Sequence, residues 1–126
     1  MHGPQIDVHP PAPFRTGLIY NATFEYRRWI SPSKKGAGIS PADTNHKVEW
    51  KKDGWNTLKI RAVGMKIQTW LNGNPVTDFD GTGILDDKIH TKHKVGESGH
   101  IAFQIHGYQD MSVAFKDITI IDLAKK

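Results

Sequence analysis

The chain contains no cysteine. Disulfides, thiolate nucleophiles and cysteine-based zinc sites are excluded together. No apolar run approaches the roughly 20 residues of a membrane helix, so no membrane span is expected. The opening Met1-His2-Gly3-Pro4 lacks the apolar stretch of a signal peptide. Lysine and arginine outnumber aspartate and glutamate, 17 to 13, for a formal net charge of +4. These cations are scattered (Arg27-Arg28, Lys34-Lys35, Lys51-Lys52, Lys92 and Lys94, Lys125-Lys126), with no long run and no nucleic-acid motif. They read as solvated surface, and no nucleic-acid partner is expected. Helical periodicity is scarce as well. Residues 82–93 form the one plausible helix, with Ile84, Leu85 and Ile89 as a small apolar stripe. His90 and His93, three apart in that segment, read as surface residues.

What is present is alternation. At 126 residues the chain suits one domain with one core. Its 37% hydrophobic content is modest, but it is arranged with period two, which argues against disorder. A strand sends successive side chains to opposite faces. Residues 5–8 alternate and stop at Pro10-Pro11-Ala12-Pro13, and residues 17–20 are a second candidate. Residues 31–45, rich in Pro, Gly, Ser and Lys, read as a long loop. Residues 55–63 place Leu58, Ile60 and Ala62 on one face. Residues 65–71 place Met65, Ile67, Thr69 and Leu71 opposite Lys66, Gln68 and Trp70. Asn72-Gly73 predicts a hairpin turn into a return strand over 75–79, where Pro75 suits a strand start or edge. Residues 100–107 and 111–120 read as two final strands, the first with Ile101, Phe103 and Ile105 facing a core. Trp29, Trp50 and Trp55 read as core plugs or covers. The pattern is all-β: an antiparallel β-sandwich or jelly roll.

The polar faces are where chemistry is expected. Gln5, Asp7 and His9 share one face of their strand, opposite Ile6 and Val8. Gln104 and His106 share one face of theirs. Where both line one concave sheet, they converge. Carboxylate, imidazole and phenol are proton-transfer groups, so His106, Asp7, His9 and Tyr20 are the candidates, with His9, followed by Pro10-Pro11, the better fit to a turn cap. Asp7, His9 and His106 also offer the oxygen and nitrogen donors of a divalent-metal site suited to zinc or manganese, although the residues fix no cofactor.

Four blocks in series, Asp53 to Ile60, Ile67 to Gly73, Gly99 to Gly107 and Phe115 to Ile118, resemble the 3-keto-disaccharide hydrolase domain family. The resemblance spans about residues 3–123. It implies a concanavalin-like jelly roll and a carbohydrate ligand, with cleavage of sugars whose 3-hydroxyl has become a ketone, by hydrolysis or 1,2-elimination. It implies export to a bacterial periplasm or cell surface. On this reading Asp7 and His106 are catalytic. Gln5, Gln104, Tyr20, Gln68 and Trp70 bind substrate, Trp70 by stacking on a sugar ring. A non-catalytic carbohydrate-binding sandwich is the alternative.

Two departures stand out. The family's G-x-E-x-Q strand is Gly3-Pro4-Gln5-Ile6-Asp7 here, so acid and amide have exchanged places. The family also has strands before this block. The 1–126 domain is therefore expected to be N-terminally incomplete, with its sheet completed by a homo-oligomer or a partner chain.

Overall fold

The computed structural model describes residues 1–9, 15–34, 38–44, 48–96, 98–107 and 110–124. The architecture is an all-β antiparallel sandwich of two sheets. The first holds β1 (Pro4–Ile6), β2 (Ile19–Asn21), β3 (Arg28–Ser31) and β4 (Ser33–Lys34), in that order. The second holds β5 (Leu58–Val63), β6 (Lys66–Leu71) and β7 (Asn74–Asp80), joined as consecutive hairpins. A short helix, α1 (Lys88–Lys92), follows.

β6 obeys its alternation. Ile67, Thr69 and Leu71 are buried, while Lys66, Gln68 and Trp70 point away. Asn72 and Gly73 close the hairpin with φ of 50° and 81°, the left-handed pair that a tight two-residue turn requires. Pro75 lies in β7, an edge strand, opposite Trp70, where the register shifts. Its missing donor therefore breaks no central ladder.

Ile19 and Ile30 of the first sheet meet Ile67 of the second, with Leu85 closing the cluster. Two hydroxyls lock the layers together. Thr69 Oγ1 and Thr77 Oγ1 both donate to the Gly17 carbonyl, at 2.7 and 3.1 Å. Gly17 sits at φ 91°, and a Cβ there would lie 3.0 Å from Val76 Cγ1. Only glycine brings that carbonyl so close to the opposing sheet.

Four sequence expectations are corrected. Residues 31–45 are not one loop. Among their described residues they begin in β3, include β4 and hold a 3₁₀ turn at Pro41–Asp43. β3 escapes an alternation search because Trp29 and Ile30 are both buried, beside a register shift at Ile19/Tyr20. The helix is shorter than residues 82–93, because Asp87 caps it and only Lys88–Lys92 wind.

The third correction concerns residues 100–107 and 111–120. Their described residues form no strand, and Ile101, Phe103 and Ile105 are 71%, 56% and 60% exposed. Alternation yields a strand only where a sheet edge and an opposing layer are on offer. These stretches touch each other, ring to ring, at Phe103 and Phe115. β5 shows the same effect more mildly: it is an edge strand, and Ile60 remains half exposed. The fourth correction is Trp55. It covers no core, lying exposed with Lys116 Nζ over its ring, whereas Trp29 is buried as expected. The Pro10–Pro13 stop, Lys35 and Lys125-Lys126 lie outside the described residues. No helix among those residues is long and apolar enough to cross a membrane.

Candidate functional site

Strand register places the predicted residues. Gln5 pairs with Tyr20, and Tyr20 with Trp29, so the three share one face of the first sheet. Ile6 and Ile19 occupy the other face and pack inward. Asp7 continues the alternation just past β1, held by Asp7 N–H to Leu18 O and by Gly17 N–H to Asp7 O. Its carboxylate lies 3.2 Å from Arg15 Nε. The Arg15 guanidinium also covers the Trp29 ring at 5.3 Å, and Tyr20 meets Trp29 edge to face. The outer face of the first sheet thus presents an amide, a carboxylate, a guanidinium and a phenol around one aromatic ring. Arg15 has no place in an alternation argument; its position in the segment entering β2 is what brings it here.

His9 is half-buried. Its backbone N–H donates to Thr16 Oγ1, and its Nδ1 has no hydrogen-bond partner among the described residues. Gln68 accepts from Arg61 Nη1 at 3.1 Å, and Lys59 Nζ lies 4.9 Å from the Trp70 ring centre. Both belong to the outer face of the second sheet, opposite the inward Ile67 and Thr69. Gln5 and Trp70 therefore look out from opposite sides of the sandwich. Gln104 and His106 are exposed on the C-terminal stretch. Among the described residues no hydrogen bond, ion pair or ring contact joins either to the Gln5–Asp7 strand. The structure brings together Gln5, Asp7 and Tyr20, and leaves Gln104, His106, Gln68 and Trp70 apart from them.

A second polar centre is absent from the sequence reading. His90 is fully buried, contrary to its expected surface place. Asp87, the N-cap of α1, accepts from Ile89 N–H and His90 N–H, and its Oδ1 lies 2.8 Å from His90 Nδ1. That carboxylate oxygen can only accept, so Nδ1 carries the hydrogen. His90 Nε2 lies 3.3 Å from Asn21 Oδ1, an oxygen that accepts from Thr23 N–H. Tyr26 stacks on the His90 ring and donates its hydroxyl to Asp87 Oδ2. Backbone N–H donation from His90, with the Tyr26 hydroxyl second, holds the Asp87 carboxyl far below the usual carboxylate range. The bond to Asp87 raises the Tyr26 phenol above its ordinary value. The helix is thereby fastened to the turn between β2 and β3. The Asp-x-x-His spacing at a helix start was the available signal. Asn21, 69 residues away, was not a readable partner.

Outside this centre lie His2, Glu25 and His93, whose ligand atoms all fall within 4.8 Å of one another. Asp7, His9 and His106 form no such group among the described residues.

With this geometry in view, the family model for the 3-keto-alpha-glucoside-1,2-lyase-like domain matches residues 1–121. The chain belongs to that family. The match covers the Gln5–Asp7 strand, the β5–β7 sheet and the C-terminal stretch alike, in agreement with the family resemblance of the sequence blocks. No curated protein and no solved structure matches the chain.

Proposed function

We propose that this domain acts on glycosides whose 3-hydroxyl has been oxidised to a ketone, cleaving the glycosidic bond by 1,2-elimination or hydrolysis. The observation that carries the reading is the family match over residues 1–121. The ketone acidifies the proton at C2. A base removes that proton, and the electron pair delocalises onto the C3 oxygen as an enolate. Collapse of the enolate forms the C1–C2 double bond and expels the glycosidic oxygen from C1, which takes up a proton. Hydrolysis follows where water then adds to that double bond.

In this reading Asp7 takes the C2 proton, and the Arg15 guanidinium beside it offers a fixed cation to the enolate oxygen. Gln5 and Tyr20, on the same face, hold sugar hydroxyls. His106 returns a proton to the leaving oxygen, with Gln104 beside it, which requires the 100–107 stretch to lie over the first sheet's outer face when substrate is bound. Trp70 and Gln68 look out from the other side, so a sugar they stack would occupy a separate surface. A divalent ion is not assigned to this face.

The test follows loss of a 3-keto-glucoside in the presence of purified protein. We expect Asp7→Asn and His106→Ala each to lower kcat/KM by about 10²- to 10⁴-fold, the usual weight of one acid–base group. Undiminished turnover in both variants would overturn the assignment. Saturable glycan binding with no turnover by the parent chain would replace it with a binding module.

A further inference from the structure

The centre at His2, Glu25 and His93 belongs to no part of that chemistry. Its three side chains come from three elements. His2 lies two residues before β1, beside Gly3, whose N–H donates to Thr23 Oγ1 and whose carbonyl accepts from Ala22 N–H, tying this stretch to the turn after β2. Glu25 sits in that turn, which is closed by Tyr26 N–H and Arg27 N–H to Thr23 O. His93 is the C-cap of α1. The buried Tyr26–Asp87–His90–Asn21 chain fixes the helix against the turn, and so fixes His93 beside Glu25. Precise support from behind is what a ligand set needs.

We propose that His2, Glu25 and His93 bind a first-row divalent cation, zinc foremost, which clips the N-terminal stretch to the β2–β3 turn and to α1. Two borderline imidazole nitrogens and one carboxylate oxygen make a ligand set suited to zinc, cobalt or nickel. His93 Nε2 lies 3.0 Å from Glu25 Oε1, and His2 Nδ1 lies 3.9 Å from Glu25 Oε2. A tetrahedral ion with bonds near 2.0–2.1 Å holds its ligands about 3.3 Å apart; the two contacts go to different carboxylate oxygens and the three ligand atoms lie within 4.8 Å of one another, so the set draws together on loading. Three protein ligands leave a fourth position for water. The two imidazole rings now stack face to face, centroids 3.5 Å apart and 8° from parallel. An ion lies in the plane of each ring it binds, so the rings pivot apart on loading. His2, exposed and outside any strand, has the freedom to do so.

The test titrates zinc alone, then cobalt alone, into chelator-treated full chain. Calorimetry and the cobalt visible spectrum are the readouts, with histidine ring resonances followed by NMR. We expect one ion per chain and a raised melting temperature. The His2 and His93 resonances should move, while those of His9, His100 and His106 stay. Glu25→Gln and His93→Gln should each weaken zinc by about tenfold or more, as loss of a ligand does. Asp7→Asn and His106→Ala should leave zinc affinity unchanged, so the proposal stands or falls independently of the sugar chemistry. Should His93→Gln fail to fold, Glu25→Gln, on an exposed side chain, decides alone. No saturable binding up to about 1 mM zinc, an affinity too weak to matter, would overturn it. So would binding indifferent to Glu25→Gln and His93→Gln, or binding lost in Asp7→Asn.

Discussion

Removing the Asp87 side chain tests the buried polar centre directly. In Asp87→Ala, α1 loses its N-cap, worth about 1 kcal/mol. His90 Nδ1, fully buried, loses its acceptor, and a stranded buried donor costs about 1–3 kcal/mol. The Tyr26 hydroxyl loses its acceptor too, but it is only partly buried and water can replace it. The sum is about 2–4 kcal/mol. For a domain of this size that lowers the melting temperature by roughly 10 °C. Asp87→Asn keeps an oxygen for the cap and for the ring N–H, so it should lose about 1 kcal/mol. The sign with pH follows from the depressed carboxyl. Asp87's contribution is fully present above the unfolded value of 3.8, and is lost as pH falls through the lower folded value. The parent chain should therefore shed this stability on acidification, and Asp87→Ala should not. Urea unfolding at neutral and acid pH measures both. A loss below about 0.5 kcal/mol in Asp87→Ala, within ordinary surface scatter, would refute the argument that this centre holds the helix.

Three further outcomes are expected. Gly17→Ala puts a Cβ 3.0 Å from Val76 Cγ1 and 3.1 Å from Thr69 Oγ1 at positive φ, and should cost about 2–4 kcal/mol in a urea melt. The Asp43 carboxyl is held at about 2, chiefly by Lys34 Nζ and then by Ser40; Lys34→Gln should move its NMR titration toward the ordinary 3.8. The support Asp43 gives is present above that ordinary value and lost as pH falls through about 2. Ile101→Ser and Ile105→Ser, at exposed positions, should change chain stability by less than about 0.5 kcal/mol while reducing binding of a hydrophobic dye. A loss of several kcal/mol would show that this stretch is packed.

Legibility tracked the range of the interactions. β6, the Asn72-Gly73 turn and β7 were readable because each depends on a partner a few residues away, and the alternation of Ile67, Thr69 and Leu71 states the inward face outright. β3 was hidden because Ile30 is buried in the core while Trp29, on the opposite face, is buried beneath Arg15, and period two cannot express burial on both faces. His90 was misplaced because a stripe search counts apolar residues only. A histidine is buried at no great cost only when its two nitrogens find partners, and one of these comes from β2. The alternation at 101–105 was read correctly as a pattern and wrongly as an element, since nothing local supplies the facing layer. Of the candidate site, the common face of Gln5 and Asp7 followed from parity. Arg15 did not, and neither did the separation of Trp70 from Gln5, because parity within one strand says nothing about which way a second sheet faces.

The reach from Asn21 to His90 bears on how the chain comes together. The three strands of the second sheet are joined by turns of two residues each, so they can zip as soon as either hairpin nucleates. The helix has no comparable shortcut. Its seat is built from a strand and turn some 69 residues upstream, and the entropy of closing that loop must be met before His90 gains its second partner. We expect φ-values near zero for Asp87 and Asn21 and clearly fractional ones for Ile67 and Leu71. The buried histidine would then be a late latch: it would set how slowly the native fold opens far more than how quickly it forms.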